Sequence, residues 1–140
     1  MAQTQNQVAA ERAAGAAGAG LANQQAPRGR IVVLNALPLN ALPRSHIRLD
    51  VLPVSLSDLA TWTQRRLQEG WQLIHYIRHT STVATLRQHG IPLSEQPNSS
   101  LYVYQPGDVM VVVTLRTPQR GQEQAQVSPQ DLEAWIVTVL

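Results

Sequence analysis

Cysteine is absent from this 140-residue chain, which excludes disulfide frameworks, thiolate metal sites and thiol nucleophiles. Lysine is absent as well, so all eleven basic residues are Arg. Genome composition accounts for such a bias without any appeal to function. Arg nevertheless presents a planar fork suited to phosphates and purine faces. Net charge is scarce: a formal +2 is too little for a general coat for long nucleic acid. No run of about 18 apolar residues occurs, so no membrane span is expected. The N-terminus lacks the basic and apolar regions of a secretory signal. Also missing are the Walker loop, G-x-G-x-x-G, G-x-S-x-G and H-E-x-x-H. No metal and no cofactor is implied.

What is present divides at residue 31. The stretch 1–30 is rich in Ala, Gln and Gly and reads as a low-complexity, disordered tail, with a frayed helix possible around Val8–Ala17. Residues 31–140 form the folded domain. "IVVLNAL" (31–37) is unbroken and β-branched, as in a strand buried on both faces. "HIRLDVLPV" (46–54) alternates like a strand with one polar face. A helix follows over 57–69, capped by Ser55 or Ser57, with Leu59, Trp62 and Leu67 near one face and Gly70 ending it. "WQLIHYIR" (71–78) places Trp71, Leu73, His75 and Ile77 on one side of a strand. A short helix spans about 82–89, closed by Gly90. "SLYVYQPGDVMVVVTLR" reads as a hairpin about Gln105–Asp108, then a polar loop and a last strand. The fold class expected is α+β (an α/β two-layer): one mixed sheet of about five to six strands, with two helices on one face.

The chemistry concentrates in "YIRHTSTVATL" (76–86). His79 lies just past a strand's carboxyl end, and Thr80, Ser81 and Thr82 open a helix. Exposed N–H groups at a helix N-terminus attract phosphate, and a histidine there can protonate a leaving oxygen. The plainer alternative is that Ser81 or Thr82 caps the helix while His79 sits in solvent. Asn35, Asn40 and Arg116 lie at strand ends that a mixed sheet could gather near His79. His75 shares a face with apolar residues and reads as a structural histidine. His46 and His89 receive no role, and the His75/His79 spacing does not suit a metal.

"LNALPLNAL" near the start of the domain and "IHYIRHTSTVATL" in its middle resemble the viral ring nuclease family. These are small type III anti-CRISPR proteins of archaeal viruses and phages, with relatives in bacterial CRISPR loci. The similarity covers residues 31–140 in order and spacing. It implies a homodimer that binds cyclic tetra-adenylate, or a related cyclic oligonucleotide, and opens the ring without metal. In that family the substrate's 2′-hydroxyl attacks the adjacent phosphorus and leaves a 2′,3′-cyclic phosphate. By resemblance, His79 is the general acid. Asn35, Asn40, Arg78, Thr80, Ser81, Thr82 and Arg116 bind the ligand, with no membrane and no long nucleic acid as partners. The implied setting is the cytoplasm, that of the host if the protein is viral.

The chain also departs from the family pattern. Pro38 stands where many members have Ser, and Arg78 and Thr80 replace Gly and Asp around the histidine. Glu123 is the nearest candidate for the acidic residue that follows the family's arginine. Two rival readings remain open: a sponge that sequesters a cyclic nucleotide uncut, and a non-enzymatic assembly or regulatory protein.

Overall fold

The computed structural model describes residues 2–5, 7–11, 27–116 and 127–140. Its centre is a five-stranded sheet built from β3 (Arg30–Leu34), β4 (Leu49–Val54), β5 (Gln72–His75), β6 (Val109–Leu115) and β7 (Leu132–Val139), in the order β4-β7-β6-β3-β5. The helices are α1 (Leu56–Gln68) and α2 (Thr80–Gln88). Two short N-terminal strands, β1 (Ala2–Gln5) and β2 (Gln7–Glu11), pair with each other in a sheet of their own. Val8–Glu11 is thus strand in β2 rather than the start of a helix, and the rest of that expected helix lies outside the described residues.

β3 is central, and it is the run of β-branched residues that the sequence marks as buried on both faces. It pairs in parallel with β5 on one side and β6 on the other. Ile31 and Val33 face one core, while Val32 and Leu34 face a second. The first core takes Leu59 from α1 and Val83 and Leu86 from α2, so both helices lie on one face, as the pattern predicts. Among the described residues, no α-helix covers the second face. There Leu42, Ile47, Tyr102 and Tyr104, all from connecting segments, pack on Met110, Val112 and Val137.

The α1 boundaries follow from its caps. Ser55 Oγ accepts the Asp58 N–H at 3.1 Å, one of the first-turn donors that a helix leaves unpaired. Gly70, at φ +96°, makes the left-handed exit. The buried stripe of α1 uses Leu56, Leu59 and Ala60 with Trp62, and Leu67 is not part of that cluster.

One expected strand does not form. The turn at Gln105–Asp108 is present, with Asp108 N donating to Gln105 O at 2.9 Å and Gly107 at φ +94°. Residues 101–104 before it, however, are not strand. Both edges of β6 are taken by β3 and β7, so no ladder positions remain for that arm. It crosses the helix-free face instead, with Tyr104 N donating to Ala41 O at 3.0 Å. Asp108 holds the crossing down. It receives a two-pronged bond from Arg30, at 2.8 and 2.6 Å, and accepts from the Tyr102 hydroxyl at 2.9 Å and the Gln105 N–H at 3.0 Å.

Candidate functional site

Strand direction decides where the candidate residues meet. β4, β6, β3 and β5 all run the same way, and β7 alone opposes them. Their carboxyl ends therefore share one edge of the sheet, the edge where ligands commonly sit in sheets of parallel strands. Both helices begin on that edge, α1 right after β4 and α2 four residues after β5. Asn35 follows β3 directly. Carried two residues past the last paired rung, Val33 with His75, the parallel register sets Asn35 opposite Ile77, two residues before His79. Arg116 follows β6. Asn35, Arg78, His79 and Arg116 thus lie at the ends of three neighbouring strands. Asn40 sits farther along, in the 3-10 turn Leu39–Ala41, and is exposed.

His79 proves to be the cap of α2 itself, in place of Ser81 or Thr82. Its Nδ1 accepts the Thr82 N–H at 3.3 Å and lies 2.9 Å from Thr82 Oγ1. The helix accordingly begins at Thr80, two residues earlier than the sequence pattern suggests. A backbone N–H can only donate, so Nδ1 must offer its lone pair. The proton of the neutral ring is then on Nε2, on the side away from Thr82. The N–H groups of Thr80 and Ser81 open the first turn outside the helix ladder. Arg78 and Thr80 are exposed, Ser81 is half-buried and Thr82 is buried.

The hydroxyls of this turn also have partners. Ser81 Oγ accepts the Val127 N–H at 2.8 Å, which still leaves its own proton free to donate. One turn on, Thr85 Oγ1 donates to Val127 O at 2.7 Å.

Arg116 reaches a partner that the sequence does not advertise. Its Nη1 donates to Glu133 Oε2 at 2.7 Å and its Nε to Gln130 O at 3.0 Å. Glu133 is opposite Thr114 in the β6–β7 ladder. Only that antiparallel register could reveal the pair, because 17 positions separate the two residues. Glu123, the acidic candidate from the sequence, lies outside the described residues.

Arg116 also lines a groove of about 690 Å³, together with Val54, Leu56, Leu132, Glu133 and His89. His79 is not among the lining residues of this groove. His75 has the structural role expected: fully buried, it accepts the Ile77 N–H on Nδ1 at 3.2 Å, and Nε2 meets Ser94 O at 2.8 Å. Among the described residues, no three His, Asp or Glu side chains gather as a metal-ligand group.

No family model and no curated protein sequence matches the chain. Among solved structures, B116 of Sulfolobus turreted icosahedral virus matches with a TM-score of 0.60. A viral protein shares this fold. The match covers 78% of this chain and 98% of B116, at 18% sequence identity. At that identity the likeness is one of fold, and it assigns no activity. No described helix is long and apolar enough to cross a membrane.

Proposed function

We propose that this protein is a ring nuclease that opens cyclic tetra-adenylate without metal and so switches off type III CRISPR signalling. The observation that carries the reading is the His79 cap. It fixes the imidazole at the N-terminus of α2 with Nδ1 engaged, which leaves Nε2 on the side of the ring away from Thr82. A phosphate placed there would meet the first-turn N–H groups of α2 and the positive end of its dipole. Arg78 is adjacent, and Arg116 lies on the same edge. The substrate's 2′-hydroxyl oxygen would bond to phosphorus as the P–O5′ bond breaks. His79 Nε2–H would hydrogen-bond the departing O5′ and stabilise its developing charge while that oxygen takes a proton from water. The 2′ proton would go to water, so the imidazole stays neutral throughout. An internal nucleophile needs only alignment, a proton donor and charge stabilisation. The residue pattern around His79 and the fold shared with a viral protein both support this reading.

Incubation of the purified protein with cyclic tetra-adenylate in chelator, followed by chromatography, provides the test. Wild type should yield linear products ending in 2′,3′-cyclic phosphate. His79→Asn retains a good cap and should keep the fold, while cleavage falls by about 100-fold or more. Unchanged cleavage in that variant would remove His79 from the chemistry. Intact ring recovered from a wild-type complex would identify a sponge instead.

A further inference from the structure

Ser81 and Thr85 stand four residues apart, on one face of α2. Both hydroxyls are used on a single residue of another segment: Ser81 on the Val127 N–H, Thr85 on the Val127 carbonyl. Every polar atom of the Val127 backbone is thereby fixed to the helix that carries His79, much as one rung of a ladder would fix it. Thr85 is buried, so the clamp is partly shielded from competing water.

The consequences run along the chain from Val127. The next residue, Ser128, donates through both its N–H and its hydroxyl to Asp131 Oδ2, each at 2.9 Å. That bond pair closes the 3-10 turn Pro129–Asp131. The turn then offers two carbonyls to Arg116: Asp131 O accepts its backbone N–H at 2.8 Å, and Gln130 O accepts its Nε at 3.0 Å. Glu133, two residues later, takes Nη1. Nη2 has no partner among the described residues. Arg116 is otherwise an exposed side chain with many rotamers, so this backing selects one pose of its guanidinium.

We infer that Ser81 and Thr85 are positioning residues, which hold the Arg116 guanidinium in register with the His79 imidazole by clamping Val127 to α2. The clamp concerns this chain's own geometry. Its effect on ring opening rests on the function proposed above.

The two levels separate in one experiment on the full-length protein. Ser81→Ala, Thr85→Val and Thr85→Ser are compared for exchange of the Arg116 Nε–H by NMR, assigned with Arg116→Lys. They are also compared for affinity and single-turnover cleavage of cyclic tetra-adenylate. Ser81→Ala and Thr85→Val should speed Nε–H exchange and slow cleavage by on the order of 10-fold to 100-fold. In Thr85→Val, whose buried hydroxyl faces Val127 and not the ligand, affinity for the ring should change much less. Thr85→Ser keeps the hydroxyl and should restore slow exchange. Folded clamp variants with unchanged exchange would overturn the inference, as would faster exchange with unchanged cleavage. If wild type neither binds nor cuts the ring, the proposed function fails, and the exchange data alone still decide whether the clamp sets Arg116.

Discussion

At the scale of single residues, Asp108 shows how one carboxylate can organise a crossing segment. Burial by itself would raise its carboxyl. The Arg30 guanidinium, the Gln105 N–H and the Tyr102 hydroxyl together outweigh that and hold it below the ordinary range. Burial pushes the Tyr102 hydroxyl up, and its bond to Asp108 adds to the rise. The sign of the linkage follows. A carboxyl depressed in the folded state contributes stability that is present above its unfolded value, about pH 4, and is lost as pH falls through the folded value. Urea midpoints measured from pH 7 to pH 2 should therefore drop below about pH 4. Asp108→Asn should flatten that drop and lower stability at pH 7 by on the order of 2–3 kcal/mol. An undiminished acid slope in the variant would place the linkage elsewhere, with Asp131, whose carboxyl the Ser128 N–H and hydroxyl also depress, the next group to test.

At the scale of elements, β4 is one of the two edge strands of the sheet, and most of its residues are exposed. Leu140 N donates to Arg48 O at 2.9 Å, so Arg48 turns its polar backbone toward β7. Alternation then turns Leu49, Val51 and Pro53 outward. Pro53 has no N–H to give, so the outer ladder of β4 lacks a donor at its carboxyl end. Proline at such a position discourages edge-to-edge pairing, and here it does so where Val51 and Leu52 are more than half exposed. Pro53→Val restores a donor on that edge. It should raise self-association, read as increased light scattering at constant protein concentration, and an unchanged signal would show that the edge is protected by other means.

At the scale of the whole molecule, the two faces of the sheet differ in kind. One is sealed by α1 and α2. Among the described residues, the other is covered by connecting segments, which leave Leu39, Leu101 and Val103 exposed at 70%, 92% and 66%. The Tyr104–Ala41 hydrogen bond brings the 39–41 turn and the 101–104 segment side by side. Clustered apolar exposure of this sort marks interaction surfaces, and the homodimer that the family resemblance implies is the occupant to test. Wild type should sediment at twice the chain mass at micromolar concentration. Leu101→Asp combined with Val103→Asp should sediment as a monomer with little change in thermal midpoint, because neither side chain is part of a core. A wild-type monomer would exclude the dimer.

The sequence by itself determined the elements whose residues carry their own instructions. The β-branched run of β3 reads as a fully buried strand, Gly70 ends α1 and one of Ser55 and Ser57 begins it, and the apolar stripes send both helices to one face. It also singled out the stretch around His79, because hydroxyls between a strand end and a helix start are legible locally. Only the tertiary structure decided matters that depend on who occupies a neighbour's hydrogen bonds. Residues 101–104 have strand-like composition, yet β3 and β7 had already filled both edges of β6. Glu133 reaches Arg116 through strand register, and Val127 reaches Ser81 across 46 positions. Such pairings are set by which strands run side by side, a long-range choice that no local pattern of residue types encodes.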